Sequence, residues 1–303
     1  MLKKLSLMTL MLASVPGMAM ACACGCGVFE VGTGSMLPDG QGGRAWLEYD
    51  FMNQEINWSG SKVAPEAGND DKRLRTQYYT AGAEYMFNRS WGVETTVPYV
   101  RRYYRTEDGG AMQSFKDDGL GDIKVEGIYT GISDDMSTGL KFGLKLPTGD
   151  HSVTGFDRDT AIGSGSTDLL LGAYHQDRFA FSQKLSWFVN GQWEHAFLTQ
   201  SDYRPGDEFS AAAGIYYEAG SIAGYGKFSP LLQIIGSDRQ RDSGGASDPD
   251  NSGYTRLVVS PGVEYDLYSL KLYGDVGIPV YQNVNGNQLT PPVLFKFIVA
   301  HDF

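Results

Sequence analysis

Past residue 21 the chain alternates apolar and polar positions, and no stretch keeps a helical period. Within 138–147, for example, Phe142 and Leu144 alternate with Lys141 and Lys145. A period of two is typical of a β-strand that has one apolar face. The strands that this pattern predicts span 44–53, 73–87, 91–105, 120–132, 138–147, 166–175, 183–197, 207–219, 226–236, 254–266, 269–281 and 291–303.

The connections between these twelve segments alternate in length. Those after odd-numbered segments are long and rich in Gly, Asp, Ser and Asn, as in 148–165 and 237–253, whereas those after even-numbered segments are short, as in 88–90 and 133–135. This plan is typical of bacterial outer-membrane barrels, which have long extracellular loops and short periplasmic turns. An open twelve-stranded sheet would instead leave two unpaired edges and an uncovered apolar face. The predicted fold class is therefore all-β, a closed transmembrane antiparallel β-barrel of about twelve strands.

Aromatic residues cluster near the ends of the predicted strands, where membrane proteins place their aromatic belts. The residues in such positions are Trp46, Tyr49, Tyr85, Phe87, Trp91, Tyr99, Trp193, Phe197 and Tyr265. Together they predict an outer face that meets lipid headgroups at two levels.

The last predicted strand, 291–303, ends on an aromatic residue at the chain terminus. Phe295, Phe297 and Phe303 share one face of this alternating strand. The arrangement is similar to the C-terminal signal that the barrel-assembly machinery reads, so Phe303 is the predicted assembly signal and that machinery a predicted partner.

Charged residues fill the opposite face of the strands, which predicts a polar lumen of mixed sign. The residues expected to line it are Glu48, Asp50, Glu94, Arg102, Lys124, Glu126, Lys141, Lys145, Asp168, Glu194, Arg256, Glu264, Lys271, Asp275 and Lys296. One interpretation makes them a selectivity lining for an open pore. The other makes them pairs that neutralise one another across a narrow bore, because twelve strands enclose less space than the 16–18 of porins.

The N-terminus has the three parts of a secretory signal peptide. Lys3 and Lys4 precede the apolar stretch 5–15, and Ala19-Met20-Ala21 forms a small-residue cleavage site. The predicted domains are a signal peptide (1–21), a Cys/Gly-rich periplasmic segment (22–43) and the barrel (44–303).

Three cysteines, Cys22, Cys24 and Cys26, stand together at the start of the mature chain. Their spacing matches neither a zinc ribbon nor a haem attachment site. Disulfide exchange, lipidation of Cys22, binding of a soft metal ion and contact with a periplasmic redox partner all remain open for this cluster.

Composition excludes several classes of protein. The 303 residues include 25 Lys and Arg against 36 Asp and Glu, for a net charge of −11, so no basic stripe exists to bind nucleic acid. Mean hydropathy is −0.28, which argues against a bundle of membrane helices. No His-x-Ser triplet of the kind used by outer-membrane phospholipases occurs, because His195 is followed by Ala196 and Phe197. We therefore expect no enzyme activity and no cofactor.

Three Gly- and Asp-rich stretches carry a family resemblance. They read DGLGDIKVE at 118–126, GLKFGLKLPTG at 139–149 and GSGSTDLLLG at 163–172. In these stretches the chain resembles the outer-membrane family named for the meta-pathway of phenol degradation. The resemblance implies an outer-membrane barrel with a transport role, with small hydrophobic or aromatic compounds among its solutes.

The function expected from these features is an outer-membrane channel or transporter for small solutes in a Gram-negative cell envelope. The alternative is a structural or interaction barrel whose cysteine cluster engages a metal or a periplasmic redox partner. The expected partners are outer-membrane lipid and lipopolysaccharide, the assembly machinery, the solutes and, at the N-terminus, a periplasmic protein.

Overall fold

The computed structural model describes residues 34–303 except 39 and 223. The predicted signal peptide and the cysteine cluster lie outside the described residues. Three short 3₁₀ turns occur in the described part of the chain, at Gly34–Met36, Glu66–Gly68 and Pro249–Asn251, and the remaining regular structure there is strand. No helix among these residues is long and apolar enough to cross a membrane.

Sixteen strands follow one another along the described chain. They are β1 (Gly42–Gln54), β2 (Ile56–Gly60), β3 (Lys62–Val63), β4 (Asp71–Met86), β5 (Trp91–Asp108), β6 (Ala111–Leu120), β7 (Ile123–Tyr129), β8 (Thr138–Leu146), β9 (Ser166–Arg178), β10 (Leu185–Thr199), β11 (Glu208–Tyr217), β12 (Gly220–Ile222), β13 (Tyr225–Arg239), β14 (Tyr254–Leu267), β15 (Leu270–Thr290) and β16 (Leu294–Asp302).

Twelve of these strands form a closed ring. Its order is β1-β4-β5-β7-β8-β9-β10-β11-β13-β14-β15-β16, and every neighbouring pair is antiparallel. The ring closes where β1 pairs with β16 in a register that sets Arg44 opposite Asp302 and Asp50 opposite Lys296. Closure leaves no sheet edge exposed along the wall. The predicted fold class is confirmed.

The structure differs from two predicted connections at the long-loop end, which is the end of the barrel that carries the long connections. Most of the connection expected between the third and fourth predicted strands is β6, which folds back on β5 as an antiparallel hairpin through a turn at Gly109 and Gly110, both with positive φ. The eleventh predicted strand continues to Thr290, because the end of β15 pairs with β2. Only residues 291–293 therefore connect β15 to β16, where a long loop was expected.

The two faces of the barrel wall differ in polarity. Outer-face residues such as Leu47, Phe142, Ile234 and Phe297 are exposed, as side chains that meet lipid must be. Inner-face residues are mostly polar, and many are buried, including Asp50. The Phe303 backbone exchanges two hydrogen bonds of 2.8 Å with that of Gly43, which ties the chain terminus to the first strand.

Candidate functional site: the barrel lumen

The structure places all fifteen charged residues of the predicted lining on the inner face, none of them exposed. They come from nine strands of the ring and from both halves of the barrel. Eight are carboxylates and seven are cations, so their charges nearly cancel.

One cluster of inner-face charges joins strands β7 to β10. The Lys145 Nζ lies 2.5 Å from the Asp168 Oδ2 and also contacts the Glu194 carboxylate. The Lys124 Nζ lies 3.8 Å from the same Glu194. The Asp168 side chain is 1% exposed and that of Lys145 13%, so these contacts form away from bulk water. We call this group the Lys145 cluster.

Two further lysines form ion pairs on the inner face. The Lys141 Nζ lies 2.7 Å from the Glu94 Oε2, which joins β8 to β5 across the intervening β7. The Lys296 Nζ lies 2.7 Å from the Glu48 Oε1 and 3.6 Å from the Asp50 Oδ1. Each of these cations therefore faces at least one carboxylate, as the paired-charge interpretation expects.

The remaining predicted residues lie nearby on the inner wall. The Gln233 amide donates to Asp275 over 3.0 Å, and the Tyr273 hydroxyl donates to the same carboxylate. The Arg256 guanidinium lies over the Tyr254 ring, 4.6 Å from its centroid. Lys271 lies 3.8 Å from Asp266, and Glu126 and Glu264 are buried.

The loop 147–165 folds inward over the long-loop end of the lumen. The buried Arg102 guanidinium donates to the Thr160 and Ala161 carbonyl oxygens, each over 2.6 Å. The Asp122 carboxylate accepts hydrogen bonds from two backbone N–H groups, that of Gly149 over 3.0 Å and that of Ser164 over 2.8 Å. Arg102 and Asp122 thereby hold both ends of the loop at the long-loop end of the barrel.

Acidic residues of this loop lie close to one another. The Tyr104 hydroxyl contacts the Asp157 Oδ2 over 2.6 Å. Burial, together with the charges of Asp157 and Asp242, raises the pKa of Asp159 to about 7. The Arg158 guanidinium next to it lies 4.4 Å from the centroid of the Tyr203 ring. The loop therefore brings a carboxyl that titrates near neutrality to the mouth of the lumen.

At the opposite end, residues 34–38 lie inside the ring formed by the short turns. The Arg44 guanidinium and the Gln176 amide donate to carbonyl oxygens of this segment, those of Leu37 and Pro38, over 3.4 and 3.0 Å. Met36 and Leu37 are buried in an apolar cluster that also contains Trp46, Met86, Ile128, Met136, Tyr174, Phe188 and Tyr216. We call this cluster the apolar layer.

The placement of Trp46 corrects the aromatic-belt prediction. Trp46 is 8% exposed and points into the lumen, where it lies against Gly82. A Cβ at Gly82 would lie 2.1 Å from the Trp46 Cε2, so the glycine makes room for the indole. The alternation of β1 carried this signal, because Trp46 shares its parity with Glu48 and Asp50.

A cavity of about 280 Å³ lies between these two ends. Met36 and Trp46 line it at the short-turn end, and Arg158 and Asp159 line it at the long-loop end. Sequence reasoning missed these loop and N-terminal contributions, since neither segment has a strand period that would show which way it folds. In the described part of the chain, no group of three or more His, Cys, Asp or Glu side chains is arranged to hold a metal ion.

Comparison with known proteins agrees with this architecture. The model of the family described as "Putative MetA-pathway of phenol degradation" matches residues 67–285. The structure is similar to that of the COG4313 outer membrane channel from Pseudomonas putida F1, with a TM-score of 0.66, 12% identity, and coverage of 90% of this chain and 100% of that chain. It is also similar to the β domain of the Bordetella autotransporter BrkA, with a TM-score of 0.51, 11% identity, and coverage of 87% and 100%. No curated protein matches this sequence.

Proposed function

Because the chain belongs to this MetA-pathway family of outer-membrane barrels, we propose that it is a channel that passes small solutes across the outer membrane. The observation that carries the proposal is the cavity inside a closed barrel, with the Lys145 cluster and its neighbouring ion pairs around its middle. A polar enclosed space within an apolar outer wall gives solutes a route that avoids lipid.

The apolar layer favours hydrophobic or aromatic compounds among those solutes. Trp46, Tyr174 and Phe188 present rings to the lumen, and Met36 and Met86 add flexible side chains that adapt to different shapes. The solved channel from Pseudomonas putida shares the fold, and its name as an outer membrane channel is consistent with this proposal.

The remaining expectations stay part of this proposal. The chain would reach the outer membrane of a Gram-negative cell through its signal peptide. The barrel-assembly machinery would read Phe303, and the fifteen inner-face charges would set the ion preference of the pathway. The slight excess of carboxylates over cations favours cations.

Conductance and liposome swelling test the proposal together. The purified barrel in planar bilayers should give discrete conductance steps. Proteoliposomes should swell faster than protein-free liposomes of the same lipid, and this increase should be larger for small aromatic alcohols than for sugars of similar size. A barrel that only docks a partner would give no steps and the swelling rate of protein-free liposomes, and that result would overturn the channel.

A pair of tryptophan variants locates the pathway. Trp46→Ala removes a ring from the apolar layer and should raise conductance, because the indole occupies the lumen. Trp193→Ala removes a ring of the same size from the outer face of β10 and should leave conductance unchanged. Equal conductance in both variants would mean that the solute path does not pass the apolar layer.

A further inference from the structure

Basic residues on the outer wall are confined to one sector of the barrel. Among the described residues of the twelve ring strands and β6, Lys and Arg side chains on the outer face occur on β4, β5 and β6. They are Arg73, Arg75, Arg101, Arg105 and Lys116. The chain as a whole has a net charge of −11, so this concentration of cations is not a consequence of general composition.

The strand register brings these cations side by side. Arg75 of β4 stands opposite Tyr103 of β5, and Tyr103 in turn stands opposite Lys116 of β6. The Arg75 guanidinium lies 5.4 Å from the centroid of the Tyr103 ring. Arg105 stands opposite Arg73, whose guanidinium pairs with Glu55.

Most of these cations have no carboxylate partner. Arg73 pairs with Glu55, but in the described part of the chain no ion pair forms at Arg75, Arg101, Arg105 or Lys116, all of which are exposed. One carboxylate, that of Asp118, stands opposite Arg101. It accepts a hydrogen bond from the Tyr99 hydroxyl. These four cations, which we call the basic patch, therefore keep an excess of positive charge.

The height of the basic patch matches that of lipid headgroups. Tyr49 and Tyr79 pack with their ring centroids 5.1 Å apart, and Tyr99 stands opposite Tyr79, which forms a row of three tyrosines on the outer face. Toward the short-turn end, the outer face of β5 is uncharged and mostly apolar as far as Trp91. Arg101 is the next outer-face residue beyond Tyr99, about 7 Å further along the strand. The cations thus begin where the tyrosine row ends the lipid-facing band, on the side of the long loops.

We propose that the basic patch binds the phosphate groups of a phosphorylated glycolipid in the outer leaflet, the lipid A part of lipopolysaccharide. Guanidinium groups bind phosphate oxygens in a two-pronged, charge-assisted geometry, and several of them share one site here. A bound phosphate also supplies the negative charge that the four cations of the basic patch lack among the described ion pairs. The acyl chains lie below, against the apolar outer face, and the tyrosine row contacts the sugar.

Native mass spectrometry of the delipidated barrel in detergent tests this site directly. Lipid A with two phosphates should bind, and the same lipid with both phosphates removed should bind at least about tenfold more weakly. Added salt should weaken the binding of the phosphorylated form, because the patch is exposed. Equal affinity for both lipids would overturn the proposal, as would inorganic phosphate binding as tightly as lipid A.

Matched variants assign the effect to the basic patch. Arg75→Gln/Arg101→Gln/Arg105→Gln should lower the affinity for phosphorylated lipid A by about ten- to a hundredfold. The control removes three cations at the short-turn end, through Arg178→Gln/Lys184→Gln/Lys227→Gln, and should retain the affinity of the unmodified chain. A heat-modifiable band on semi-native gels verifies that each variant is folded. Equal loss in both variants would mean that net charge, and not the patch, attracts the lipid. Because the patch lies on the outer wall, its failure leaves the channel proposal intact.

Discussion

Replacing Lys145 by methionine tests whether the inner-face charges depend on one another. Methionine keeps most of the volume of the side chain but removes the ammonium that contacts both Asp168 and Glu194. In this variant Glu194 still has the Lys124 ammonium 3.8 Å away. Among the described ion pairs, Asp168 pairs with Lys145, the residue that is replaced. The variant therefore leaves a carboxylate that is 1% exposed without its neighbouring cation.

The expected loss of stability follows from distance and burial. At 2.5 Å the attraction between Lys145 and Asp168 is about 6–7 kcal/mol for an effective dielectric constant near 20. Removing one partner of a buried pair usually destabilises a protein by about 3–5 kcal/mol. Because Lys124 still faces Glu194, we expect a decrease at the lower end of this range, about 3 kcal/mol, in the free energy of unfolding. The additional change Asp168→Asn should restore roughly half of it, because the unpaired charge is then gone.

Urea unfolding in phospholipid vesicles, followed by tryptophan fluorescence, measures this decrease. In a salt gradient across a bilayer, the reversal potential of Lys145→Met should shift toward cation preference, and the shift should shrink at about 1 M salt. Arg89→Met is the control, because Arg89 and Asp134 form an exposed ion pair at a short turn, and it should change neither quantity. A destabilisation by Lys145→Met below about 0.5 kcal/mol, with an unchanged reversal potential, would refute the idea that these charges are buried and interdependent.

Three further predictions concern topology, assembly and pH. Epitope tags at Gly68 and Gly245, which lie in long connections, should bind antibody on intact cells and a tag at the short turn of Asp134 should not; the reverse labelling would invert the barrel. Phe303→Ser should reduce the heat-modifiable folded form on semi-native gels, and unchanged folding would remove the assembly role of this residue. The raised pKa of Asp159, about 7, means that its carboxyl is neutral below this pH and charged above it. The packing of its loop is therefore strongest at low pH and weakens as the pH rises. Because the carboxyl gains its negative charge over this range, the cation preference of the channel should increase from roughly pH 6 to pH 8. Asp159→Asn should abolish this increase. If the variant keeps the increase, the titrating group is another residue.

Alternation of apolar and polar residues along the chain is enough to define the wall of the barrel. A strand has a period of two, so each residue can be assigned to a face once closure is inferred from the loop lengths. By this rule Glu94, Lys141 and Lys296 are assigned to the inner face, and the structure places their contacts there. The same rule would have placed Trp46 there, but its position near a strand end suggested a membrane belt.

The partners of each inner-face charge depend on the tertiary structure. Lys141 contacts Glu94 across an intervening strand, and the Lys145 cluster joins residues from four strands. Such contacts depend on the register of each strand pair and on the curvature of the closed sheet, which local alternation does not encode. The sequence therefore leaves the selectivity-lining and paired-charge interpretations both open, and the structure shows the pairs.

The two ends of the lumen likewise depend on tertiary contacts. Loop 147–165 and residues 34–38 have no regular period, so their sequences do not indicate that they fold inward. Arg102, Asp122 and Gln176 hold them there through hydrogen bonds to backbone groups, which any sequence carries.

The basic patch shows the same division between sequence and tertiary structure. Its residues alternate visibly along β4, β5 and β6, but only the pairing of these strands brings Arg75, Arg101, Arg105 and Lys116 onto one surface. The physical reason is that side-by-side contact in a sheet is set by the register between strands and not by the spacing within one strand.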